Sequence, residues 1–132
     1  MSTQVVLLGS TGSIGTQALE VIDQHHEDFE VVALSAGGRS LELLAEQCVR
    51  YRPQVVGIHD GDARRLESLI AAAAGEIPEI LVGPDASTQI AGSFPQAVVL
   101  NGITGGVGLG PTLAALEAGS TLALANKESL VV

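Results

Sequence analysis

The residues best placed to do chemistry stand close to the amino terminus. Gly9, Gly12 and Gly15 are spaced three apart and interleaved with Ser10, Thr11 and Ser13, between the apolar run Val5–Leu8 and an amphipathic stretch that begins at Ser13. Glycine at the hand-over from a strand to a helix weakens local order, so its use here points to a ligand that needs close approach to backbone N–H groups. In a parallel α/β sheet the turn after the first strand faces that ligand, and the helix N-terminus offers free N–H groups and a positive dipole end to phosphate. On this reading Gly9 allows a sharp turn, Gly12 leaves room for a pyrophosphate, and Gly15 lets the helix lie against the strand. Thr11 and Ser13 add hydroxyl donors, and Ile14 begins the apolar face of the helix. The spacing is G-x-x-G-x-x-G rather than G-x-G-x-x-G, so the turn differs in detail from the common dinucleotide fingerprint. A tight loop with no ligand is the competing reading.

The end of the second strand speaks to which dinucleotide. Sheets that bind NAD usually carry an Asp or Glu there to accept from the ribose 2′-OH. The stretch "VVALSAGGRSLE" instead places Ser35, Ala36, Gly37 and Gly38 at that point, followed by Arg39 and Ser40. A carboxylate would repel a 2′-phosphate, whereas a guanidinium fork and a hydroxyl would bind it. The stretch therefore reads as preferring NADP, with a solvated loop cation as the alternative for Arg39.

Two further stretches have the look of a site. In "VVLNGITGGVGLGPTLAALEAG" five glycines, Gly102, Gly105, Gly106, Gly108 and Gly110, crowd the carboxyl end of another strand. Proximity to a ligand and a mobile loop account for them equally well. In "TLALANKESLVV" the polar trio Asn126, Lys127 and Glu128 follows an apolar strand directly. Lys127 would meet an anionic substrate, and Asn126 and Glu128 would hold ribose or nicotinamide-side groups. The plain alternative is a surface Lys–Glu pair of little energetic weight.

These groups need a frame, and the hydrophobic pattern supplies one. Strands are predicted at 4–8, 30–36, 54–59, 79–82, 97–101 and 121–125, and helices at 13–25, 40–51, from Asp60 or Asp62 to Ala74, at 85–91 and at 111–118. Ser40 is the expected N-cap of the second helix, whose inward face is Leu41, Leu44, Ala45 and Cys48, and Pro53 ends it. Strands alternating with helices imply right-handed crossovers and a parallel sheet. The predicted fold is α/β, a doubly wound, mainly parallel Rossmann-like sheet with helices on both faces.

Composition agrees and narrows the function classes. The 132 residues suit one domain, and a 46% hydrophobic fraction with only 2% aromatics builds a core of Val, Leu, Ile and Ala. Six basic against fifteen acidic residues, a net charge of −9, argue against nucleic-acid binding. Cys48 stands alone, so no internal disulfide forms, and a reducing, cytoplasmic setting is expected. No basic leader precedes an apolar stretch, and no run approaches the ~20 apolar residues of a membrane span. His25 and His26 fall at a helix end, where a cation suits the dipole. His59 and Asp60 have no partner cluster, and no group of carboxylates shows metal-ligand spacing. The chain stops inside the apolar "SLVV", which reads as a piece of something longer.

Taken together, "GSTGSIGTQALEVI" and "LANKESLV" resemble the N-terminal part of the 1-deoxy-D-xylulose-5-phosphate reductoisomerase family, and "FEVVALSAGGRS" and "GPTLAALEAG" fit it too, so the resemblance covers nearly the whole chain. It implies that residues 1–132 form one NADPH-binding domain. Thr11, Gly12, Ser13 and Ile14 match the family's pyrophosphate loop, and Gly37, Gly38 and Arg39 its 2′-phosphate loop. Many members carry a lysine and an asparagine where this chain has Gly38 and Arg39. Asn126 and Glu128 match cofactor-contacting positions and Lys127 a substrate-contacting one. The implied reaction, in the non-mevalonate isoprenoid pathway, rearranges 1-deoxy-D-xylulose 5-phosphate and reduces the resulting aldehyde with NADPH, giving 2-C-methyl-D-erythritol 4-phosphate. Mg²⁺ or Mn²⁺ acts there as a Lewis acid. The family's metal-binding motif and C-terminal domains lie downstream of "NKESLV", so this stretch is expected to be inactive alone, and the whole enzyme to be a homodimer. A free-standing NADP(H)-binding module and another NADP-dependent reductase, such as a homoserine or semialdehyde dehydrogenase, are the alternatives.

Overall fold

The computed structural model describes residues 3–102 and the backbone of 121–124. The strands are β1 (Thr3–Leu8), β2 (Phe29–Ala36), β3 (Val55–Ile58), β4 (Glu79–Val82), β5 (Val98–Asn101) and β6 (Thr121–Leu124). The helices between them are α1 (Ser13–Gln24), α2 (Leu41–Tyr51), α3 (Ala63–Ala72) and α4 (Ala86–Ala91). The predicted helix at 111–118 and the glycines beyond Gly102 lie outside the described residues.

All strand pairs are parallel, in the order β4-β3-β2-β1-β5-β6. The chain thus winds outward from β1 in one direction, returns, and winds outward in the other. The reversal falls between β1 and β5, which is where doubly wound sheets bind ligands at their carboxyl ends. Leu8, Asn101 and Leu124 stand level with one another at that edge.

The central strands β1 and β2 are buried on both faces, which explains why β1 reads as an unbroken apolar run rather than an alternating one. Val5 and Leu7 join α1, α2 and α3 through Leu19, Ile22, Leu44, Cys48, Leu66 and Ile70. Val6 and Leu8 face the other way, onto Ile90 and Ala91 of α4. Each Val, Leu or Ile among them, withdrawn fully from water, contributes about 1.5–3 kcal/mol. In β2 the alternation slips: Val5 pairs with Val31 but Val6 pairs with Ala33. Val32 is the extra residue of a bulge, and Val32 and Ala33 pack on the same face.

Local signals set most element ends. Asp62, not Asp60, caps α3, its carboxylate accepting from Arg64 N at 3.0 Å and Arg65 N at 3.3 Å. Arg52 adopts a left-handed φ of 49° after α2, and Pro53 follows. Ser40 occupies the N-cap position of α2, but its hydroxyl makes no capping bond. Its ψ of 59° departs from the extended backbone from which a capping hydroxyl reaches the first turn. Helix α3 ends at Ala72, short of the expected Ala74. Gly75 N donates to Ile70 O and Ala74 N to Ala71 O, with Ala74 at φ 58°. That is a Schellman closure with alanine in the left-handed position where glycine is usual.

Candidate functional site

At the carboxyl edge of β1 the chain rises, turns and enters α1. The N–H groups of Gly9 and Ser10 both donate to Ser35 O at the end of β2, at 2.9 and 2.8 Å, so the turn is pinned to the neighbouring strand. Gly9 takes a φ of 77°. At Gly15 a Cβ would overlap the Gly9 carbonyl oxygen and stand 2.7 Å from Ser10 Cα. Glycine there is demanded by the close packing of helix on turn. Gly12 is different. Its φ of −77° and ψ of 172° suit any residue, and a Cβ would meet nothing nearer than Gly9 O at 3.5 Å. The protein itself does not require glycine at this position.

The turn forms one wall of a cleft of about 470 Å³ lined by Gly9, Thr11, Gly12, Ser13, Ile14, Ser35, Ala36, Gly37, His59, Pro84, Ser87, Thr88 and Gly102. Six residues expected there from the first turn's sequence and the start of the second loop are side by side: Gly9, Thr11, Gly12, Ser13, Ile14 and Gly37. Gly37 has open space where a Cβ would stand, and at Gly12 a Cβ would make only an ordinary contact. Although the chain carries a net charge of −9, no carboxylate among the described residues lines the cleft. Among the described residues, the N–H groups of Ser13, Ile14 and Gly15 have no acceptor, and the first turn of α1 holds no acid. A cradle of donors at a helix N-terminus, with no acid among the described residues around it, suits a phosphate group.

The chain from Gly37 leads into a second depression of about 550 Å³, lined by Gly38, Arg39, Ser40, Leu41, Glu42, Leu43 and Arg65. Gly38 has a φ of 104°, and a Cβ there would overlap the Asp60 carbonyl oxygen. A longer side chain at this position has no room while the β3–α3 loop lies as it does. Arg39 is exposed, and among the described residues its guanidinium has no partner. Arg65, by contrast, is held by Glu42 at 3.2 Å between Nη2 and Oε1. Ser35, at the point where an NAD-type acid would stand, is fully buried and accepts from the Ser87 hydroxyl of α4 at 2.8 Å. No acid therefore occupies the carboxyl end of β2.

Sequence reasoning missed the wall opposite the glycine turn: Pro84, Ser87 and Thr88 at the start of α4, with His59 after β3. The signal available was positional, since both segments follow strands at the same edge. Asn126, Lys127 and Glu128 lie outside the described residues. Cys48 is buried without exposure, and desolvation pushes its thiol up to about 12, which fits an inert core residue. Among the described residues no three His, Cys, Asp or Glu side chains are grouped to hold a metal, and no helix is long and apolar enough to cross a membrane.

Comparison with known proteins gives one answer. The family model for 1-deoxy-D-xylulose 5-phosphate reductoisomerase matches residues 5–132. The reductoisomerase of Paenarthrobacter aurescens is 62% identical over 135 aligned positions, covering 98% of this chain and 34% of that protein. That of Streptomyces coelicolor is 54% identical over 132, covering 97% and 31%. Among solved structures, the Zymomonas mobilis enzyme in complex with NADPH matches with a TM-score of 0.83 at 37% identity, over 99% of this chain and 34% of that one. A reductoisomerase in complex with NADPH, fosmidomycin and magnesium matches with a TM-score of 0.85 at 32% identity, over 98% and 31%. The chain spans about a third of the length of the curated relatives it matches.

Proposed function

The chain belongs to the 1-deoxy-D-xylulose 5-phosphate reductoisomerase family, and from that premise we propose that residues 1–132 are the NADPH-binding domain of such an enzyme. The observation that carries this reading is the pair Gly12 and Gly37. Neither glycine is required by the backbone or by packing, and both line one cleft that holds no acid among the described residues, in front of helix N–H groups without an acceptor there. A ligand's own surface supplies the reason for the missing side chains. In the proposed complex the pyrophosphate lies on Thr11, Gly12, Ser13 and Ile14, and the adenosine side runs past Gly37 toward Gly38 and Arg39. The unpartnered Arg39 guanidinium takes the 2′-phosphate. Asn126 and Glu128 complete the cofactor contacts and Lys127 meets the sugar phosphate.

The whole enzyme, on this reading, converts 1-deoxy-D-xylulose 5-phosphate to 2-C-methyl-D-erythritol 4-phosphate in isoprenoid biosynthesis, with NADPH supplying the hydride. Its divalent metal, magnesium or manganese, takes its ligands outside the described residues. Residues 1–132 by themselves bind the cofactor without turning over. The enzyme works in the cytoplasm, where the single Cys48 stays reduced, and as a homodimer, which a measurement of solution mass tests.

Calorimetric titration with NADPH and, separately, NADH tests the cofactor assignment. Binding of NADPH at least tenfold tighter than NADH is the expected outcome. Equal affinities would remove Arg39 from the site, and binding of neither would remove the cofactor from the cleft.

A further inference from the structure

Helix α2 contributes more than apolar packing. Gln47 is 6% exposed, on a helix whose other buried residues are Leu44, Ala45 and Cys48. Its Nε2 donates to the Ser10 carbonyl of the glycine turn at 2.9 Å, across 37 residues of sequence. Among the described residues, its Oε1 and the Ser10 hydroxyl have no partner, although both are buried. A buried amide that satisfies only one of its ends is a poor stabiliser, because the unpaired end forfeits its hydration. Its value is directional: it fixes where one carbonyl stands.

That carbonyl sits in a constrained place. The turn is pinned on one side by Ser35 O, which accepts from Gly9 N and Ser10 N, and floored by Gly15, whose packing leaves no room even for a methyl group. Gln47 supplies the remaining restraint, from a third element. The same helix opens at Leu41, in the depression that holds Arg39. One rigid rod therefore touches both turns that the cofactor reading requires.

We propose that Gln47 is a positioning residue that holds the β1–α1 turn in its pyrophosphate-receiving shape and fixes its distance from the Arg39 loop. This rests on the NADPH assignment of the same cleft. Gln47 touches no ligand itself and acts through the Ser10 carbonyl.

The test compares the parent protein, as the complete polypeptide, with Gln47→Met, which keeps length and helix propensity but removes the donor. Hydrogen exchange without ligand is read at the Gly9 and Ser10 amides, with β3 amides as internal reference. Exchange at the turn should accelerate about tenfold (1.4 kcal/mol) while β3 is unchanged. Titration should show NADPH affinity falling by a similar factor. Affinity for 2′-AMP, which carries the adenosine and 2′-phosphate but no 5′-phosphate, should hold. Gln47→Asn, which keeps an amide but shortens its reach, should show the same split in smaller measure and serves if the Met variant fails to fold. Unchanged exchange at the turn, or equal loss of NADPH and 2′-AMP, would overturn the proposal. If the parent protein bound no NADPH, the cofactor reading would fall, and the exchange comparison would still decide whether Gln47 orders the turn.

Discussion

The turns after β1 and β2 are built on the same plan and differ in what they present. Each pairs a glycine that the fold demands, Gly15 or Gly38, with one that it does not, Gly12 or Gly37. The first turn then enters a helix with no charge in its opening residues, so it offers only N–H groups and a dipole. The second enters a helix flanked by Arg39, with Ser40 at the N-cap and Glu42 in the first turn. Backbone donors bind any phosphate of the right reach, whereas a guanidinium in a fork distinguishes where a phosphate is attached. On the proposed cofactor reading, the contrast teaches that affinity and discrimination fall to neighbouring turns, and that each can be disturbed without the other.

The largest expected effect probes the demanded glycines. Gly15→Val forces a branched side chain into the Gly9 carbonyl and Ser10 Cα, and should destabilise the fold by roughly 3 kcal/mol; denaturant unfolding would register it. An undiminished midpoint would show that the turn yields easily and that Gly15 is no different from Gly12. Next comes Arg39→Ala, which should weaken NADPH by roughly 1.5–3 kcal/mol, the range for a hydrogen bond to a charged group, while leaving NADH nearly unchanged. Equal losses would erase the division between the turns. Gly12→Val inverts the Gly15 experiment: stability stays within about 0.5 kcal/mol, and NADPH affinity drops at least about tenfold. If instead it unfolded the protein, glycine there would have a structural reason after all.

Much of this division was legible in the sequence, because it depends on local spacing. Three glycines after an apolar strand, and the absence of an acid after the second, are short-range signals. Gln47 and Ser87 were not legible. Their partners stand 37 and 52 residues away, and a polar residue on a helix gives no sign of the carbonyl or hydroxyl it will meet. The end of α3 was misjudged for another reason. The four alanines of "IAAAAG" strongly favour helix, so propensity carried the prediction to Ala74. The Schellman closure comes two residues earlier, with Ala74 in the left-handed region. Ala74→Gly should accordingly stabilise the protein by about 1 kcal/mol and leave both turns untouched, the smallest effect in the series. Thermal unfolding together with an unchanged NADPH titration would check it.

Cys48 follows Gln47 on α2, is wholly buried, and is the sole cysteine of the chain. A thiol with no exposed surface, its ionisation suppressed by that burial, is closed to an alkylating reagent while the helix stays seated. Its labelling rate is therefore a stopwatch for the helix lifting away. Run with and without nucleotide, on a single mass-spectrometric peak, that stopwatch would time how firmly an occupied cleft locks the layer behind it.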